Sequence, residues 1–152
     1  GMNYGELFHE SHLAVGRVLL EHELLLGVDA LEAVEEGLTE VFYPHGVSHM
    51  LGIQVHDAGS KQLDLEGTMW EKDKERPTRT VMRTVEPGHV FTVEPGLYFI
   101  EMLLDPEREG KNRGFFNWRL IDRMVPHGGI RIEDNIHVAD DGVYNLTRPH
   151  LP

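Results

Sequence analysis

The 152-residue sequence contains no cysteine. That excludes a disulfide framework and thiolate zinc sites, and agrees with a reducing compartment, the cytoplasm. Basic residues are scarce: 14 lysines and arginines stand against 26 acidic residues, for a net charge of −12. No basic face is available to neutralise phosphate, so nucleic acid is not an expected partner. No apolar run approaches the roughly 20 residues that span a bilayer, and no basic-then-apolar export signal opens the chain; no membrane partner is expected. Aromatic residues make up only 8%, yet 40% of the chain is hydrophobic and 26% charged, which is ordinary for a globular domain. The length suits one domain with a core and is short for two. Gly1 before Met2 reads as a cloning remnant.

What is present reads as helices first and strands after. Over 4–26, Phe8, Val15, Val18 and Leu25 recur at offsets of seven, three and seven, one face of an amphipathic helix. Gly27 is a stop signal, and Asp29 an N-cap for a second helix over about 30–42, with Glu32 at its third position. Pro44, Gly46 and Gly52 make 43–52 a loop. The alternation of Ile53 and Val55 against Gln54 and His56 predicts a short strand over 52–57. Residues 58–79 are charged and without period, a surface excursion. Strands are expected at 81–86, at 89–101 with an interruption near Pro95-Gly96, at 130–139 and at 143–147. A loop is expected at 105–116 and a short helix at 117–124. The fold class is therefore α+β, N-terminal helices followed by a mostly antiparallel sheet.

Ten histidines are an enrichment. His9, His12, His22 and His150 read as scattered surface residues; His89, His127 and His137 stay open. His45, His49 and His56 are set apart by their neighbours. In Pro44-His45-Gly46-Val47-Ser48-His49-Met50-Leu51-Gly52, then Gln54-Val55-His56-Asp57, glycines let backbone close on a site and imidazoles supply neutral donors. The spacing of His45 and His49 imitates a zincin helix, but Gly-Val-Ser replaces Glu-x-x, and Pro44 and Gly46 forbid the helix.

The pentapeptide Thr-Val-Glu-Pro-Gly occurs at 84–88 and again at 92–96. The first copy precedes a new strand and reads as a turn. The second lies in an apolar run, where a carboxylate must be paired, hydrogen-bonded or bound to metal. Pro95 ends or bulges the strand there and re-aims Glu94. In Ile-Arg-Ile-Glu-Asp-Asn at 130–135, strand alternation turns Ile130 and Ile132 to the core. Arg131 and Glu133 then share the other face, as an exposed ion pair or as a platform for a charged ligand.

Segments 44–57, 90–101 and 128–135, with 45 residues from His49 to Glu94 and 39 from Glu94 to Glu133, resemble three motifs of the pita-bread metallopeptidase fold. They match the second half of that fold, shared by prolidases, aminopeptidase P and methionine aminopeptidases. Pro-His-Gly, Val-His-Asp, Glu-Pro-Gly-Leu-Tyr-Phe-Ile and Gly-Gly-Ile-Arg-Ile-Glu-Asp-Asn favour the prolidase branch, close to bacterial Xaa-Pro dipeptidases and the related organophosphorus acid anhydrolases. The resemblance implies that 1–152 is a single partial catalytic domain, the C-terminal part of a metal-dependent enzyme that hydrolyses Xaa-Pro dipeptides.

Carried over residue by residue, the resemblance implies that His49 ligates one metal ion. Glu94 ligates the same ion and takes a proton from water, and Glu133 bridges two ions. His45 and His56 line the pocket, and Arg131 binds the substrate's C-terminal carboxylate. The implied cofactors are two divalent ions, manganese foremost, with cobalt or zinc as alternatives. The family's remaining ligands, two aspartates on a hairpin, precede the segment that Gly1 begins, so three of five ligands stand here. The expectation is a chain inactive by itself that holds no metal or one ion weakly, its peptide substrate being that of the complete enzyme. It is also expected to form a homo-oligomer through the surface that truncation bares. Two alternatives share the motifs: a non-catalytic domain of this fold that binds protein or peptide, and phosphotriester hydrolysis at the same site.

Overall fold

The computed structural model describes residues 2–69 and 84–151. Among these, helices α1 (Tyr4–Glu21), α2 (Ala30–Glu35) and α3 (Leu38–Phe42) come first. Strands β1 (Val90–Val93) and β2 (Gly96–Tyr98) and helices α4 (Glu101–Arg108) and α5 (Trp118–Met124) follow. Strands β3 (Gly129–Arg131), β4 (Asp134–Ala139) and β5 (Gly142–Asn145) close the order. One antiparallel sheet runs β1-β4-β5, and β2 and β3 form an antiparallel pair. The α+β class read from the sequence is what is found. No described helix is long and apolar enough to cross a membrane. The chain divides into two compact units: Gly1–Phe8, His45–Glu94 and Ile132–Pro152 form one, His9–Pro44 and Pro95–Arg131 the other.

In the first unit, Tyr4, Met50, Phe91 and Val138 form a buried cluster, with Leu7, Val85, Val93 and Ile136 packed on it. The Tyr4 ring meets Phe91 edge-on at 5.0 Å, and its hydroxyl donates to Met50 Sδ at 3.3 Å. Ile136 and Val138 reach this cluster together because alternate residues of β4 share a face. α1 starts where it does because Asn3 and Glu6 cap each other. Glu6 N–H donates to Asn3 Oδ1 and Asn3 N–H to Glu6 Oε2, both at 2.9 Å.

In the second unit Leu19, Leu25, Leu38, Phe42, Leu104 and Ile121 are fully buried. Phe42 stands between Phe99 and Phe116, ring centroids 5.8 and 6.0 Å away. α2 begins on the box read from the sequence: Asp29 accepts from Leu31 and Glu32 N–H, and Glu32 Oε2 accepts from Asp29 N–H at 2.9 Å. Asn117 caps α5 through Leu120 N–H.

Elsewhere the fold departs from the pattern. The helix expected over 4–26 ends at Glu21, because Glu23 adopts φ 57° and Leu24 and Leu25 turn inward to be buried. Phe8, Val15 and Leu25 are buried as expected, but Val18 is exposed, and His12 and Leu19 are buried as well. His12 is thus no surface residue: its Nδ1 lies 2.8 Å from Thr39 Oγ1 and its ring stacks on Tyr43 at 4.6 Å. The second helix breaks into α2 and α3 at Gly37, whose φ is 74°. The loop expected over 105–116 is helical up to Arg108, with Pro106 inside α4 and Leu104 fully buried.

The strand expected over 52–57 is an irregular loop. Gly52 N–H reaches Gln54 O, Asp57 N–H reaches Met50 O, and a Cβ on Gly52 would run into the Asp57 carboxylate. Ile53 and Val55 stay exposed, so their alternation faces no core. The strand expected over 130–139 breaks at Ile132 and Glu133 into β3 and β4, which lie in different sheets. Ile130 and Ile132 are 64% and 49% exposed rather than turned to a core, and Arg131 and Glu133 share no strand face. Of the strand expected at 81–86, residues 81–83 lie outside those described, and Thr84 makes only an isolated bridge to Asn3. Residues 70–79 of the expected excursion also lie outside them. The last strand is Gly142–Asn145 rather than 143–147.

Candidate metal centre

The site is built on the end of β1. Thr92 lies in β1 and Glu94 just past its end, two residues on, and Pro95, which has no N–H, follows where the strand stops before β2. The loop 44–52 is laid along this edge by backbone bonds. Glu94 N–H donates to Val47 O at 2.8 Å, Thr92 N–H to His49 O at 3.0 Å, and Leu51 N–H to Val90 O at 2.9 Å. His49 is thereby brought beside Glu94 although 45 residues separate them. Thr92 joins the two again through its hydroxyl, which accepts from His49 N–H at 3.0 Å and donates to Glu94 Oε1 at 2.9 Å.

His49 Nε2 stands 3.2 Å from Glu94 Oε1, and Glu133, on the break between β3 and β4, completes the group. One donor atom from each of the three lies within 4.8 Å of the others. His49 and Glu94 are buried and Glu133 is exposed. Among the described residues this is the one group of three or more histidine, aspartate or glutamate side chains so placed.

The chemistry of the donors fits a divalent cation. His49 Nδ1 is 3.2 Å from Met50 O, and a carbonyl only accepts, so Nδ1 carries the hydrogen in that contact. In the neutral ring, Nε2 then turns a lone pair on a carboxylate oxygen, and a cation held by the two acceptors would satisfy both. An imidazole held in one tautomer by a backbone carbonyl is the usual support of a metal-binding histidine. Two carboxylates and one imidazole suit first-row divalent ions.

The other expected residues are placed differently. His56 is exposed, and its ring meets that of His49 at 4.1 Å with an interplanar angle of 62°. His45 is half-buried, its Nδ1 2.8 Å from Gly46 O. Arg131 belongs to the other compact unit, where its Nε donates to Tyr98 Oη at 2.7 Å. The two Glu-Pro-Gly copies differ as expected. The Glu86 side chain is 58% exposed at a turn with Gly88 at φ 89°, whereas Glu94 is 7% exposed. Thr92, fully buried, went unnoticed in the sequence. Its place two residues before a glutamate in an apolar run was the available signal.

The sequence profile of metallopeptidase family M24 matches residues 3–140. The chain belongs to metallopeptidase family M24. Over 148 residues this M24 chain is 46% identical to the Xaa-Pro dipeptidase of Proteus mirabilis strain HI4320, a match covering 97% of the chain and 33% of that protein. It is 42% identical, with the same coverage, to Xaa-Pro dipeptidase 2 of Idiomarina loihiensis. The chain thus spans about a third of the length of the curated relatives it matches. In structure it is similar to E. coli aminopeptidase P with the inhibitor Pro-Leu, TM-score 0.60 at 29% identity, covering 99% of the chain and 27% of that enzyme. The low-pH form of the same enzyme gives 0.62 at 29%, with the same coverage. The pita-bread fold expected from the motifs is the fold of this M24 chain. Membership of this metallopeptidase family implies divalent metal ions.

Proposed function

We propose that this chain carries the histidine and glutamate part of a dipeptidase centre whose substrates are Xaa-Pro dipeptides, within a single partial catalytic domain. The observation that supports the reading most is the convergence of His49, Glu94 and Glu133, whose donor atoms fall within 4.8 Å although the residues are far apart in the chain. His49 and Glu94 would hold one ion, and Glu133 would be shared with a second. Manganese suits a site this rich in oxygen. When bound, such ions acidify a water and polarise the scissile carbonyl.

The residues of the chain do the rest. Glu94 accepts the proton of the attacking water on its carboxylate. Thr92 keeps Glu94 and His49 in register through its hydroxyl. His56, packed on His49, and His45 orient the carbonyl oxygen and stabilise the negative charge that develops on it. Arg131 pairs with the C-terminal carboxylate of the dipeptide, as a guanidinium does best. Among the described residues three donors are brought together for such a centre, so the 152-residue chain is proposed to hold one ion weakly, without turnover. Self-association and a cytoplasmic setting complete the reading.

The test is proline release from Xaa-Pro dipeptides by the purified 152-residue chain with excess manganese, set beside its bound metal content. No release and one loosely held ion support the proposal. A tightly held pair of ions with turnover overturns the partial-centre reading.

A further inference from the structure

Glu133 is exposed and stands on a two-residue break between β3 and β4, so its aim depends on the backbone that follows it. That backbone is clamped by the turn after β5. Asp134, the next residue, takes Arg148 Nε on Oδ2 at 2.9 Å. Asn135 N–H donates to Thr147 Oγ1 at 2.8 Å, and Leu146 N–H donates to Asn135 O at 2.7 Å. The turn is itself fixed by Asn145 Oδ1, which accepts from Thr147 and Arg148 N–H, each at 2.9 Å.

The Asp134 side chain is 16% exposed, against 52% for Arg148, and Asp134 Oδ1 is buried with no hydrogen-bond partner. A carboxylate in that position is costly unless a cation offsets its burial. Take the guanidinium away and the inexpensive relief is for the start of β4 to turn Asp134 to water. Glu133 is bonded directly to Asp134, so that turn moves the Glu133 backbone as well.

We propose that Arg148, acting through Asp134, is a positioning residue that fixes the backbone at Glu133 and sets the spacing of its carboxylate from His49 and Glu94. The inference rests on the metal-centre reading. It extends the site to a residue at the far end of the chain that touches none of the three donors.

The test uses cobalt(II) alone as the probe, at a temperature where every variant is folded by circular dichroism. Wild type is titrated beside Arg148→Met, Arg148→Lys and the double variant Arg148→Met with Asp134→Asn. Expected is a loss of cobalt affinity on the order of tenfold in Arg148→Met, with a shift of the visible band of the bound ion. Arg148→Lys should recover much of the affinity by restoring the charge. The double variant should bind better than Arg148→Met alone, because the neutral amide that replaces the carboxylate needs no cation. A mere loss of stability would lower the melting temperature and leave the band where it was. Should Arg148→Met fail to fold, Thr147→Val, which cuts the second tie, carries the same expectation of weaker binding and a moved band. Wild-type affinity and an unmoved band in Arg148→Met overturn the positioning role alone. No cobalt uptake by wild type overturns the metal centre and this inference with it.

Discussion

The Nε2 atom of His49 lies 3.2 Å from Glu94 Oε1, while Nδ1 of the same ring lies 3.2 Å from the Met50 carbonyl. Both contacts are satisfied by a proton shared between the ring and the carboxyl group, or by a metal cation between a neutral ring and the carboxylate. Thr92 is tied to both residues in either state. Replacing it by valine keeps the shape and removes the hydroxyl. The His49 N–H then loses its acceptor, at a cost of about 1–3 kcal/mol for an unsatisfied buried group. Glu94 also loses the donor that orients it, and metal affinity should fall by roughly 10–100-fold, the usual size for an outer partner. Urea unfolding and a manganese titration of Thr92→Val read the two effects separately.

Phe42 is fully buried between Phe99 and Phe116. Phe42→Ala should cost about 3–5 kcal/mol, the sum of lost burial and an unfilled cavity. Chemical denaturation checks it. A loss below about 1 kcal/mol would mean that the unit repacks around the gap.

Gly129 is held against the backbone of β2: a Cβ there would stand 2.7 Å from Leu97 O and 3.0 Å from Tyr98 Cα. The backbone of β2 cannot give way as a side-chain tip would. Gly129→Ala should therefore open the β2–β3 pair, and destabilise by about 1–3 kcal/mol, as overpacking does. Amide exchange of Leu97 and Ile130, which face each other in that ladder, should quicken in the variant while that of β4 stays slow.

Glu36 and Lys111 are linked at 2.8 Å, and the hydrogen bond from Lys111, helped by its charge, holds the Glu36 carboxyl below its ordinary value. A carboxyl with a lowered folded-state value binds its proton less readily in the folded state than in the unfolded chain. Its stabilisation is present above the unfolded value of about 4.3 and disappears as the pH falls through the lower folded value. Lys111→Met should accordingly lower the urea midpoint at pH 6 and leave wild type and variant alike at strongly acid pH. Both groups are exposed, so added salt should shrink the difference. A gap that grows towards acid pH would contradict the assignment.

Much of this is legible in the residues themselves. The Asp29–Glu32 box, the short helix from 117, the break at Pro95 and the contrast between Glu86 and Glu94 all follow from local chemistry, and local chemistry decides them. Among the elements that mislead are those where alternation is taken at face value. Ile53 and Val55 alternate with no core to face, and Ile130 and Ile132 do the same beside a break in the strand. The loop expected from 105 onward begins as helix, since α4 runs through Pro106 to Arg108. The convergence of His49 with Glu94 depends on the loop 44–52 bonding along β1, a long-range pairing that no periodicity announces. His12 looks like surface decoration in the sequence because its partners, Thr39 and Tyr43, arrive from α3 and the residue that caps it.

The most direct test of the central claim is a manganese titration of the 152-residue chain and of three variants, His49→Ala, Glu94→Gln and Glu133→Gln, followed by the electron paramagnetic resonance of free ion. The account expects the wild type to take up one ion weakly and each variant to lose most of that uptake. Uptake that survives all three substitutions, or none by the wild type at millimolar metal, would contradict it.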